Sequence, residues 1–113
     1  MVESALNPQQ LESVAELFGV LAESTRLALL QELRGGPLAV GELVEALGAK
    51  QANVSKQLGI LHSAGFVGRE RQGNSVRYFI ADELVFRLCE LVCAKLRREA
   101  EREFKAMGGK VRR

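Results

Sequence analysis

Residues 38–65 read LAVGELVEALGAKQANVSKQLGILHSAG, and the rest of the chain is organised around this stretch. Its first part sets Val40, Leu43, Val44 and Leu47 at helical spacing, and Gly48 stands where a helix commonly stops in a left-handed residue. Its second part puts Val54, Leu58 and Leu61 on one apolar stripe, which Gly65 closes. Between them lies Ala49-Lys50-Gln51-Ala52-Asn53, a polar helix start in which nothing apolar is large.

A buried support helix followed by a helix whose first turn is polar and outward is the layout of a helix-turn-helix, where the second helix enters the DNA major groove N-terminus first. Lys50, Gln51, Asn53, Ser55, Lys56 and Gln57 are side chains of the kinds that reach phosphates and base edges. A helical hairpin with a polar outer face also occurs in plain helical bundles. The flanking segments therefore have to decide.

A chain of 113 residues is expected to form one domain. With 47% hydrophobic and 27% charged residues it belongs among ordinary soluble proteins rather than disordered or membrane chains. No apolar run approaches the length of a membrane span, and Glu3, Glu12 and Glu16 stand where a signal peptide needs basic and then apolar residues. The expected location is the cytoplasm, where two cysteines are free thiols rather than a disulfide scaffold.

The net charge of +2 conceals a division along the chain. Residues 1–49 hold Arg26 and Arg34 against seven acids, a balance of −5, whereas residues 50–113 hold fourteen Lys and Arg against seven acids, a balance of +7. Positive charge thus begins at the second helix of the hairpin, as on a nucleic-acid contact surface. A solvated basic face gives the same count.

Ahead of the hairpin, residues 1–6 carry no pattern and are expected to fray. Asn7-Pro8 predicts a helix start, followed by Leu11, Val14, Leu17, Phe18 and Leu21 at helical spacing. Ser24 is the expected cap of a second helix carrying Leu27, Leu29, Leu30 and Leu33, and Gly35-Gly36-Pro37 ends it. Behind the hairpin the period changes to two. Residues 66–71 and 75–80 flank Gln72-Gly73-Asn74, which predicts a β-hairpin with Arg69, Arg71 and Arg77 on its arms. Such a hairpin can lie along the sugar-phosphate backbone, although edge strands also carry charge simply to prevent aggregation. Asp82 is the expected cap of a last helix running to about residue 104, with Leu84, Val85, Leu88, Cys89, Val92, Cys93 and Leu96 on a broad apolar face. Residues 107–113, with Gly108-Gly109 and Lys110, Arg112 and Arg113, are expected to form a disordered basic tail.

Helix, helix, helix-turn-helix, β-hairpin and long terminal helix together make a winged helix-turn-helix, mostly α with a β-hairpin wing. Over about residues 10–97 the chain resembles the ArsR/SmtB family of bacterial transcriptional repressors. The stretches that carry the resemblance are LAESTRLALLQEL at 21–33, VGELVEALG at 40–48, QANVSKQLGILHSAGFV at 51–67 and RQGNSVRYFI at 71–80. The resemblance implies a homodimer joined through its first and last helices, about residues 9–21 and 82–104, that binds a two-fold double-stranded DNA operator and leaves it when an inducer arrives. It also implies a helix-turn-helix at about 40–64 whose residues 50–57, Ala52 among them, lie in the major groove. The wing at about 66–80 would contribute Arg69, Arg71, Asn74 and Arg77. Gln57 is a departure, since many relatives have His there. A dimer also follows from physics: two reading helices about 34 Å apart double the contacts of one.

Relatives that bind metal through a cysteine pair on the support helix would place it at Ala39 and Gly41, which cannot ligate. Those with a carboxylate and histidine set on the last helix would place it at Asp82, Leu84, Lys95 and Arg98, where only Asp82 can serve. His62 reads as a surface residue. Cys89 and Cys93 remain, one turn apart on one helix face, where both sulfurs can meet one soft ion such as As(III) or react with an oxidant. Cysteine also packs well as a small hydrophobe, so purely structural cysteines are the competing expectation. No cofactor is required. No nucleophile-base pair, acid pair or glycine-rich phosphate loop points to an enzyme, and a winged helix serving only protein-protein interaction is the remaining alternative.

Overall fold

The computed structural model describes residues 5–108. Residues 1–4 of the expected frayed start and residues 109–113 of the expected tail lie outside the described residues. Two compact units divide the chain, residues 1–82 and residues 83–113.

The first unit begins with α1 (Pro8–Leu21), which Asn7 caps as its sequence predicts. Asn7 Oδ1 accepts the Gln10 N–H at 2.8 Å, and Gln10 Oε1 accepts the Asn7 N–H at 2.9 Å, so two orphan donors are satisfied reciprocally. α2 (Ser24–Leu33) starts one residue away from expectation. Its cap is Glu23, whose carboxylate accepts the Arg26 N–H at 3.0 Å, and Ser24 is already helical. A carboxylate there also meets the positive end of the helix dipole, which a hydroxyl does not. α3 (Val40–Leu47) stops at Gly48 with φ +63°, and α4 (Gln51–Ser63) is followed by Gly65 with φ +83°. Both glycines take the left-handed conformation that a Cβ disfavours.

Three antiparallel strands complete this unit: β1 (Leu38–Ala39), β2 (Val67–Gln72) and β3 (Ser75–Ile80), in the order β1-β3-β2. Gln72 pairs with Ser75, so the hairpin closes through the two residues Gly73-Asn74, with Gly73 at φ +62° in the first loop position. β1 has no counterpart in the sequence reading. It is two residues long and becomes a strand only by pairing Leu38 with Tyr78 and Ala39 with Arg77. That pairing ties the segment before the support helix to the base of the wing. The core of this unit draws on every element but α1 and β1, with Leu29, Leu30 and Leu33 from α2, Leu43 from α3, Val54, Leu58 and Leu61 from α4, and Phe66, Val67 and Tyr78 from the sheet region.

The second unit is α5 (Leu84–Ala106), a single helix of 23 residues. Glu83, not Asp82, occupies its cap position. Val85 and Phe86 are buried, while Leu84, Leu91, Val92 and Leu96 are exposed. Among the described residues no helix is long and apolar enough to cross a membrane.

One glycine is required by close approach rather than by its φ. Gly68 pairs with Phe79, and a Cβ there would fall 2.4 Å from the Phe79 ring. Gly68→Val is expected to displace the ring and lower the stability of the protein by about 1–3 kcal/mol. Urea unfolding measures it, and an unchanged midpoint would show that the ring swings aside without loss.

Candidate nucleic-acid interface

The apolar stripe of α4 fixes which side of the helix faces outward. Val54, Leu58 and Leu61 are fully buried, so Lys50, Gln51, Ala52, Asn53, Ser55 and Lys56 are left on the exposed side. Small and polar side chains there let the helix N-terminus approach a groove closely. Its first-turn N–H groups point the same way and favour an anion such as phosphate.

Gln57 does not share that position. It is 8% exposed, and both ends of its amide are engaged. Its Oε1 accepts from Arg26 Nη1 at 2.6 Å, and its Nε2 donates to Asn53 Oδ1 at 3.0 Å. One turn along α4 from Asn53, it lies on the seam with α2 rather than on the outward face. The residue expected to read bases is therefore one that holds a neighbour which does face outward.

Arg26 is the residue that sequence reasoning missed. Its Nε donates to the Val20 carbonyl at 2.5 Å and its Nη2 to the Gly19 carbonyl at 3.3 Å, both in the last turn of α1. These carbonyls belong to the helix end that lacks intrahelical donors and carries the negative end of the dipole. With Nη1 on Gln57, one guanidinium joins α1, α2 and α4. The available signal was its isolation: Arg26 and Arg34 are the only basic residues before Lys50.

On the wing the register sorts the three arginines. Directly opposed residues of antiparallel strands share a face. Arg69 opposes Tyr78 and Arg71 opposes Val76, whereas Arg77 opposes Glu70 on β2 and Ala39 on β1. Arg77 is half-buried and is held at the base of the wing, where its Nη2 donates to the Pro37 carbonyl at 3.2 Å and meets Glu42 Oε1 at 3.5 Å. Glu42 also accepts the Ala39 N–H at 2.9 Å, so Arg77 fastens the wing to the start of α3. Arg69, Arg71 and Asn74 are exposed, the last at the hairpin tip.

The model of the bacterial regulatory protein, arsR family, matches residues 23–68. The HTH-type transcriptional regulator NmtR of Mycobacterium tuberculosis is 40% identical over 85 residues, which are 75% of this chain and 71% of that protein. This chain belongs to the ArsR family. Two solved ArsR-like structures share its fold. One is the homodimeric winged helix-turn-helix DNA-binding domain of Mb0332 from Mycobacterium bovis, with TM-score 0.70 and 33% identity over 85% of this chain and 89% of that one. The other is the antimony-specific transcriptional repressor AntR, with TM-score 0.73 and 39% identity over 88% of this chain and 90% of that one. The family is one of transcriptional regulators, and the mostly helical winged fold expected from the sequence is the one observed.

Among the described residues no three His, Cys, Asp or Glu side chains gather into a metal-binding group. Lys95, at one of the positions where relatives would carry a ligand, pairs instead with Glu99 one turn on. Cys89 is half-buried and Cys93 exposed, both as free thiols on α5.

The two kinds of wing arginine are separable. Arg71→Ala is expected to weaken binding to all duplexes alike and to reduce the slope of log affinity against log salt by about one. Arg77→Ala is expected to leave that slope unchanged and to lower the unfolding free energy by less than about 1 kcal/mol, since its ion pair is partly exposed. A reduced slope for Arg77→Ala with unaltered stability would put that side chain on phosphate instead.

Proposed function

We propose that this protein is a homodimeric, operator-binding transcriptional repressor that leaves DNA when a soft metalloid ion binds the thiols of α5. The observation that carries the DNA-binding half is the outward face of α4: polar and small side chains from Lys50 to Lys56 stand over a fully buried apolar stripe. Lys50, Gln51, Asn53, Ser55 and Lys56 face the groove, while Arg69, Arg71 and Asn74 follow the backbone. Family membership and the regulators it contains support the same assignment.

Dimerisation draws on the exposed apolar surface. α1 has no buried side chain, and Leu11, Val14, Leu17 and Phe18 all stand exposed, Phe18 at 57%. On α5 Leu91 is 69% exposed, with Val92 and Leu96 beside it. Apolar side chains at helical spacing left in water favour a second copy, and the related Mb0332 domain is homodimeric.

The inducer is assigned by donor chemistry. Cys89 and Cys93 are one turn apart, with Cβ atoms about 5–6 Å from each other, too far for a relaxed disulfide, which needs about 3.5–4.5 Å. A larger soft ion between the sulfurs meets no such limit. Two thiols and As(OH)₃ give a dithiolate complex with release of two waters, and no oxidant enters. The related AntR is an antimony-specific repressor, which supports a trivalent metalloid as the ligand class.

Cys89→Ser/Cys93→Ser is expected to bind DNA as the wild type does and to stay bound in arsenite or antimonite that releases the reduced wild type. Release of the double variant would make the cysteines structural. For the dimer, Phe18→Asp is expected to shift the protein to monomer and to weaken operator binding at least tenfold, since one reading helix contacts half the site. Sedimentation velocity measures the first effect and fluorescence anisotropy the second. A Phe18→Asp dimer of wild-type affinity would exclude α1 from the interface.

A further inference from the structure

We propose that Asn53 meets DNA with its amide NH₂ foremost, as a hydrogen-bond donor, because Arg26 sets the direction of the amide chain that ends on it. The inference rests on α4 being the reading helix. Its basis is the sequence of bonds Arg26 Nη1 to Gln57 Oε1 and Gln57 Nε2 to Asn53 Oδ1, at 2.6 and 3.0 Å.

An amide side chain looks alike at its two ends, so shape alone does not decide which end faces which neighbour. Chemistry decides it here. A guanidinium has donors and no acceptor, so the Gln57 atom facing Arg26 must be the oxygen. Its NH₂ group is then the end that faces Asn53, and it can bond there only with an acceptor, Oδ1. Asn53 is exposed, and with its oxygen turned toward Gln57 the end of the amide directed away from that bond is its own NH₂, although Oδ1 keeps a second lone pair. Gln57 is buried on the seam, and its oxygen is held by a cation that is itself fastened to the Gly19 and Val20 carbonyls. Rotating either amide would leave two donors or two acceptors face to face, at a cost of about 1–3 kcal/mol for each buried group left unmatched.

The consequence is a restriction on what Asn53 recognises. A free asparagine pairs bidentately with adenine, accepting from N6 and donating to N7. An asparagine whose oxygen is drawn back to Gln57 is turned away from the bidentate geometry that adenine needs and is suited to acceptors. Those are the guanine N7 and O6 edge or a phosphate oxygen. Gln57 and Arg26 are thus positioning residues for specificity, although neither faces the DNA.

The test uses the full-length protein and duplexes that the wild type selects from a random pool. Asn53→Ala is expected to lose about tenfold in affinity. Gln57→Glu still accepts from Arg26 but cannot donate, so Asn53 must turn its NH₂ inward and its oxygen toward the DNA acceptor. That variant is expected to lose tenfold or more, and the double variant Asn53→Ala/Gln57→Glu no more than the larger single loss. Wild-type affinity for Gln57→Glu, or losses that multiply to about a hundredfold in the double variant, would overturn the proposal, because the new charge would then act without Asn53. Gln57→Met adds no charge and carries the test should Gln57→Glu fail to fold. It frees Asn53 to rotate, so discrimination of guanine from adenine is expected to fall at the base pair that Asn53→Ala desensitises, and undiminished discrimination there overturns the proposal. Where Asn53→Ala weakens every duplex alike, the acceptor is a phosphate, and Gln57→Met must then weaken every duplex alike by a smaller factor. A wild type that selects no duplex would refute DNA binding itself, a result distinct from multiplying losses in a protein that binds.

Discussion

The guanidinium of Arg26 is the one group on which the placement of three helices converges. Its donors end on the last turn of α1 and on Gln57 of α4, while its own backbone N–H is taken up by Glu23 at the cap of α2. Lysine could not replace it, since an ammonium is a compact point charge and the contacts here diverge from a rigid fork. The carbonyl end of α1 meets this charge with the negative end of a helix dipole. Truncation would leave the Val20 carbonyl and Gln57 Oε1 without this donor, while the Gly19 carbonyl would keep the Ala22 N–H, so loss of this one side chain would be felt in α1 and α4 as well as in α2.

Local signals were legible in the sequence wherever the physics was local. Asn7-Pro8, Gly48 and Gly65 mark helix ends because capping and positive φ depend on a few adjacent residues, and the helices begin or stop beside them. The hairpin was legible for the same reason, since Gly73 permits a two-residue loop and the alternation around it fixes the strands. What escaped depends on distant partners. β1 is a strand only because β3 lies beside it, Gln57 is buried by an arginine 31 residues away, and Arg77 is drawn to a carbonyl 40 residues away. Gln57 and Lys56 are equally polar in one dimension. Only packing separates a residue that faces outward from one that holds its neighbour.

The same limit shows in the wing. Three arginines in two short runs look equivalent as sequence, and strand pairing divides them. Residues 69 and 71 share one face, while residue 77 lies opposite Glu70 and next to Glu42. Charge counted along the chain therefore overstates what reaches a phosphate. Part of the positive balance is internal fastening, and in this wing the fastening arginine is the one nearest the support helix.

How α1 is attached bears on regulation. With no fully buried side chain on α1, the bonds from Arg26 to the Gly19 and Val20 carbonyls fasten its last turn beside the half-buried Val20 and Leu21. Its exposed apolar face leaves α1 open to the influence of a second copy. Displacing that last turn must either break those bonds, exposing carbonyls to a guanidinium that no longer meets them, or carry the guanidinium along. The second course pulls on Gln57 and through it on Asn53. The last turn of α1 and Asn53 at the start of α4 are thus joined by three side chains, with no deformation of the apolar core required between them.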